Sequence, residues 1–274
     1  MMKTMPEPAV LRICAYGCNL QIESSLARIV DAANCYVLPT MPRVRSFNGP
    51  MHGAARIEAV EGGLRLEAEG TAPLVVPDER RLMQYLIRVL DDAVIQNLRG
   101  MYAVHAGTVA WRGGAILLPG LSHAGKSSLV AELLRRGATY YSDEYAMIDE
   151  TGRVHPYPRP VLLRNGGLHQ EPVLPVELNA PVGRDPVPMR WVFAVLYNPE
   201  GGWRVAPMEQ SETVFALLKN TPHVLEESPE MLRFFHQAVL GARGVTGERG
   251  EAGEAAEKIL ALVDAVELGG GAEG

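Results

Sequence analysis

The sequence is short of cysteine, of lysine and of long apolar runs, and each shortage removes a class of protein. Its three cysteines, Cys14, Cys18 and Cys35, are odd in number, which argues against a disulfide framework. Cys14-x-x-x-Cys18 has no later Cys pair or close His to complete four metal ligands, so buried free thiols are expected. No apolar stretch reaches membrane-spanning length, and the first residues lack a signal peptide's apolar core. A cytoplasmic chain without a membrane partner is expected. Basic clusters are missing too: the net charge is −6 with both signs mixed, which excludes a nucleic-acid face. Any strongly anionic substrate then needs a local basic pocket, because the global field does not attract it. No internal repeat is visible.

Against this background one stretch stands out. Residues 120 to 128, Gly-Leu-Ser-His-Ala-Gly-Lys-Ser-Ser, read G-x-x-x-x-G-K-S. This is the pattern of a loop that cradles phosphates in its backbone amides. Ala115 to Leu118 form an apolar run before it, as in a buried strand, and Leu129, Val130, Leu133 and Leu134 follow at helical spacing up to Gly137. Gly120 and Gly125 allow close backbone approach, and the helix adds the positive end of its dipole. Gly120, Ser122, His123, Ala124, Gly125, Lys126, Ser127 and Ser128 are the expected nucleotide-binding residues. Lys126 would reach the β- and γ-phosphates, and the Ser127 hydroxyl would ligate Mg²⁺. Lysine is used at only three other positions, Lys3, Lys219 and Lys258.

Two further features flank the loop. Met101 to Ala110 reads as a strand carrying His105, and Trp111-Arg112-Gly113-Gly114 turns it back into the loop's own strand. After the loop helix, Asp143 and Glu144 interrupt the β-prone stretch Ala138 to Ile148. Neighbours on a strand point to opposite faces. At a strand end the two acids could divide the work, one holding Mg²⁺ and one taking a proton from a hydroxyl.

The first hundred residues read as a small β-rich subdomain. Residues 9–16 suggest a strand, 23–33 a short helix, 41–53 a loop and 56–69 a hairpin turning at Gly62-Gly63. A long helix is expected over 78–98, with Asp78 as its N-cap and Gly100 as its stop. In the last third, 190–197 is a buried strand, 203–208 its return, and 211–218, 230–240 and 254–268 are helices. Residues 165–188 lack periodicity and are expected to form a mobile loop near the site where an acceptor could bind. The tail 269–274 is Gly-rich and expected to be disordered.

Taken together, His105, Gly120 to Ser128 and the acidic pair resemble the HPr kinase/phosphorylase family and its smaller HPr-kinase-related relatives, over roughly residues 101 to 170. Pro158 to Leu163 also looks like an Arg-containing strand of those relatives and of phosphoenolpyruvate carboxykinase-like folds. The resemblance implies an α/β fold: a P-loop kinase core of that type over residues 101–268, preceded by the β-rich subdomain 1–100. It implies transfer of the γ-phosphate of ATP to a hydroxyl, with Mg²⁺ as cofactor. By that implication Asp143 is the general base assisted by His105, and Glu144 joins Ser127 at the metal. Arg159 and Arg164 are candidate phosphate or substrate contacts. The family's pair is usually Asp-Asp, its N-terminal domain is larger, and its long C-terminal signature is missing here. HPr is therefore not the expected acceptor. Relatives that phosphorylate a serine of a ribosomal peptide precursor, of the lasso-peptide type, suit this chain better, as does free serine or another small alcohol. An ATPase and a non-catalytic nucleotide-binding regulator are the rival expectations. The resemblance also points to a homo-oligomer.

Overall fold

The computed structural model describes residues 7–120, 125–163, 171–222 and 228–269. The chain divides into two compact units between residues 99 and 100.

The first unit contains β1 (Ala9–Ala15), β2 (Cys18–Ser24), α1 (Ala27–Tyr36), β3 (Gly53–Val60), β4 (Gly63–Ala68), β5 (Leu74–Val76) and α2 (Glu79–Gln96). Its five strands lie side by side in chain order, β2 and β3 parallel and the other neighbours antiparallel. Alternation sets the faces: Ile13, Leu20, Ile22, Ile57 and Leu66 are buried, while Arg12, Gln21, Arg56 and Arg65 between them are not. The helices contribute Ile29, Val30 and Ala33, and Leu82, Leu86, Leu90 and Val94, to the same core. Asp78 caps α2 by accepting from Arg81 N at 2.8 Å. The expected helix 23–33 starts later, because Ser24 still ends a strand, its hydroxyl donating to Ile57 O at 2.9 Å.

The second unit contains β6 (Met101–Trp111), β7 (Gly114–Pro119), α3 (Lys126–Arg135), β8 (Thr139–Ser142), β9 (Tyr145–Asp149), β10 (Arg153–His155), β11 (Val161–Leu163) and β12 (Glu171–Val173). A 3-10 turn (Pro175–Leu178), β13 (Val187–Tyr197), β14 (Arg204–Met208), α4 (Gln210–Leu218), α5 (Pro229–Ala238), β15 (Arg243–Arg249) and α6 (Ala252–Gly269) follow. Eight strands form one sheet in the order β10-β9-β6-β7-β13-β15-β14, with β8 also paired to β6. β7, β13 and β15 run parallel. Leu129, Val130 and Leu133 of α3 and Ile259 and Val263 of α6 pack with Ile116, Leu118 and Phe193. Val214 and Leu217 of α4 and Phe235 of α5 pack with Leu117 and Val192. Leu117 and its neighbours Ile116 and Leu118 thus enter different cores. That explains why β7 is apolar at every position from Ala115 to Leu118 instead of alternating. The protein is mixed α/β, with several sheets and six helices among the described residues.

Two expectations about the last third need correction. Residues 203–208 do contain a strand, but β14 does not return along β13; it pairs with β15, which inserts between them. Residues 171–188 are not an unstructured loop. They hold β12 and the 3-10 turn, and they join the sheet's edge through Tyr140 N donating to Pro181 O at 2.7 Å and Gly183 N to Tyr140 O at 2.8 Å. Prolines hide such a segment from periodicity, because its order comes from backbone bonds to a distant strand. The rest of that stretch, 165–170, and tail residues 270–274 lie outside the described residues.

Candidate active site

Strand β6 pairs with β9 over its first half and lies between β8 and β7 over its second, and His105 sits at the change. Its first half pairs with β9, ending at His105 opposite Tyr145; its second half pairs with β7, beginning at Ala106 opposite Pro119. This arrangement brings the end of β7 and the β8–β9 turn to either side of β6 at His105 and Ala106. Gly120 N donates to His105 O at 3.2 Å, and Ala106 N to Glu144 O at 3.0 Å.

Asp143 and Glu144 form that two-residue turn and are therefore off the ladder. The Ser142 hydroxyl accepts from Glu144 N at 3.2 Å and Tyr145 N at 3.0 Å, which fixes the bend. Leaving the strand lets neighbouring side chains escape the two-face alternation. Both acids lie at the site, but with different partners.

Asp143 is 2 % exposed. Its Oδ2 accepts from Ser127 Oγ at 3.1 Å and Leu162 N at 3.2 Å, and Tyr140 OH lies 3.0 Å from Oδ1. Tyr140 OH is also 2.9 Å from Arg159 O. Burial pushes the Asp143 carboxyl up; the Arg159 charge draws it down, Glu144 adds to the rise, and the net direction is upward.

Glu144 is the more open of the two, its side chain 26 % exposed. His105 Nε2 lies 2.7 Å from Glu144 Oε1, and His105 Nδ1 2.9 Å from Gly120 O. A carbonyl only accepts, so the short contact to Gly120 O puts hydrogen on Nδ1, and Nε2 faces the Glu144 carboxylate. Burial raises the Glu144 carboxyl, but the His105 hydrogen bond and the charges of Arg159, His105 and Lys126 outweigh it and hold it at about 2.

Lys126, the first residue of α3, is 9 % exposed, and its ammonium donates to Gly120 O at 2.7 Å. Burial lowers its affinity for the proton, while Glu144 and Asp143 work the other way. Gly120 O is thus shared by Lys126 and His105. Gly125 takes φ +74°, a left-handed backbone that glycine adopts without strain.

Of the residues expected from sequence, His105, Gly120, Gly125, Lys126, Ser127, Asp143, Glu144 and Arg159 gather here. Ser128 lies in the first turn of α3. Arg159 is buried, not presented to solvent, and acts as a counter-charge to both acids. Ser122, His123, Ala124 and Arg164 lie outside the described residues. The pairings are crossed relative to expectation: Ser127 bonds to Asp143, and His105 to Glu144. Two participants were missed. Tyr140 reads in the sequence as one more β-prone aromatic. Arg249 ends β15, a strand that the sequence hides; it is 2 % exposed and donates from Nη2 to Gly125 O at 3.0 Å.

Among the described residues no three His, Cys, Asp or Glu side chains cluster as a metal site. The oxygen pair Ser127 Oγ and Asp143 Oδ2 nonetheless suits Mg²⁺, which binds through few protein oxygens with phosphate and water completing its shell. A groove of about 440 Å³ lies at the C-terminal end of β6, between Trp111, Arg112, Thr139 and Tyr141. Arg112 there is tied to Asp264 at 3.0 Å, so the groove offers no comparable charge cluster. No helix among the described residues is long and apolar enough to cross a membrane. Comparison with known proteins gives no matching family model, and no curated protein matches significantly.

Proposed function

We propose that the protein is an ATP- and Mg²⁺-dependent phosphotransferase with a hydroxyl acceptor, built on a P-loop core of the HPr-kinase-like type. The observation that carries this reading is the convergence on Gly120. Lys126 and His105 both bond to its carbonyl, at 2.7 and 2.9 Å, and the two acids stand behind them. Phosphoryl transfer asks mainly for positioning and charge neutralisation. The first turn of α3 provides backbone N–H groups and the positive end of a dipole. Lys126 exchanges the Gly120 carbonyl for phosphate oxygens.

Ser127 and Asp143 would hold Mg²⁺, which supplies neutralisation of the phosphate charge. The crossed pairings support an assignment of the other role. Asp143 is enclosed by Tyr140, Ser127 and Leu162, whereas Glu144 is partly open and oriented by His105. Glu144, kept ionised by its neighbours and oriented by His105, is therefore the carboxylate that receives the acceptor's proton. The acceptor oxygen bonds to the γ-phosphorus as the bond to the ADP oxygen breaks. Serine, in a peptide or as a small molecule, is the acceptor class proposed.

Labelled ATP offered with serine peptides, free serine and other small alcohols tests the reading. Label on an acceptor is the expected result. Free phosphate alone means an ATPase, and binding without turnover means a regulator; either outcome removes the kinase.

A further inference from the structure

A phosphate cradle treats every nucleoside triphosphate alike, so a base needs a surface of its own. β13 and β15 run parallel to β7, and all three end at the edge where α3 begins. In sheets of this kind ligands bind outside the carboxyl ends of the strands. Tyr197 is the last residue of β13 and pairs with Arg249, the last of β15. By strand alternation both continue the face of Trp191, Phe193 and Val245, which α3 and α6 cover further down.

Beyond that cover Tyr197 remains 46 % exposed. Its ring is nevertheless fixed. The hydroxyl donates to Glu251 Oε1 at 2.7 Å, and the Arg249 guanidinium carbon lies 5.1 Å from the ring centroid. Arg249 is itself anchored, from Nη1 to Gly250 O and from Nη2 to Gly125 O, each at 3.0 Å. A Cβ on residue 125 would meet Arg249 Nη2 at 2.5 Å, so the approach depends on glycine there. Gly125, the guanidinium and the ring form a connected path from the loop to an open aromatic surface.

We infer that Tyr197, held by Arg249 and Glu251, is the surface on which the base of the bound nucleotide stacks. A rigid ring, backed on one face by a cation and exposed elsewhere, is what a base can stack on with little loss of freedom. The inference rests on the nucleotide-binding reading above, and the two are separable. Inorganic tripolyphosphate has the phosphates without the base. Calorimetric titration of the full chain with Mg²⁺–ATP and with Mg²⁺–tripolyphosphate measures both contributions.

Tyr197→Ala should weaken ATP binding roughly tenfold or more, the usual range for a lost stacking partner, and leave tripolyphosphate within about twofold. Tyr197→Phe, which keeps the ring, should retain most of the ATP affinity. Lys126→Ala should weaken both ligands. Unchanged ATP affinity in Tyr197→Ala, an equal loss for both ligands, or a Phe variant as weak as Ala overturns the stacking role while leaving the phosphate site standing. A wild-type chain that binds neither ligand overturns the nucleotide reading and this inference together.

Discussion

At one end of β9, His105 Nε2 lies 2.7 Å from Glu144 Oε1; at the other, His155 Nε2 lies 2.7 Å from Asp149 Oδ2. The side chains are similarly open, 17 % and 26 % in the first pair, 23 % and 21 % in the second. Neither distance nor burial separates them; their surroundings do. Glu144 faces the charges of Arg159 and Lys126, and its histidine reaches Gly120 at the head of the loop. Asp149 faces its own turn: Oδ1 accepts from Thr151 N, the Thr151 hydroxyl and Arg153 N at 2.9, 2.7 and 3.0 Å. A histidine–carboxylate pair is thus no functional mark by itself. Convergence of charge at a strand end, beside a helix N-terminus, is the better sign.

The comparison breaks most visibly at Lys126. Lys126→Ala should lower transfer by about 10³-fold, as expected when a preorganised cation is removed from a site of developing charge. Circular dichroism and the melting temperature should change little, since the residue holds no part of the core clusters. Near-wild-type turnover would place the chemistry elsewhere. Next in size is Glu144→Gln, which should cut kcat about 10²-fold, within the span of a general base. ATP affinity should hold. If Asp143→Asn instead produces that loss and Glu144→Gln does not, the roles deduced from the crossed pairings are reversed. With the roles as deduced, Asp143→Asn should mainly raise the Mg²⁺ concentration needed for half-maximal rate, about tenfold as for a disturbed metal site.

How much of this was open to a sequence reader depends on the range over which each feature is determined. The strand before residue 120 and the helix from Lys126 are legible because the apolar residues that define them act within one local unit. The same holds for α2, where Asp78 and the 3.6-residue period agree. β15 is not legible. Its seven residues, Arg-Gly-Val-Thr-Gly-Glu-Arg, include one large aliphatic, Val245, and it is a strand because β13 and β14 flank it. Arg249 was hidden with it. The acids were legible as a pair, but not their partners. Those follow from a turn that Ser142 fixes locally, set in place by the long-range pairing of β6 with its neighbours.

The smallest expected effect is at the far end of β9, and it sharpens the contrast by touching stability alone. Asp149→Asn removes a charged acceptor from three donors and from His155, and should destabilise the protein by about 1–2 kcal/mol. Transfer at saturating ATP should stay at the wild-type rate. The pH dependence has a definite sign. Burial raises the Asp149 carboxyl, but the His155 bond and the turn donors outweigh it, so the folded value lies below the ordinary one. The unfolded chain therefore takes up this proton more readily than the folded one. Its stabilisation is complete above the ordinary carboxylate value and is lost as pH falls through the lowered one. Chemical denaturation followed from neutral to acid pH should show wild type losing part of its advantage over Asp149→Asn in that window. A gap that stays constant with pH would mean that Asp149 acts through the shape of its turn and not through its charge. The second histidine–carboxylate pair would then be electrostatically idle, and the difference between the two ends of β9 larger than their common geometry suggests.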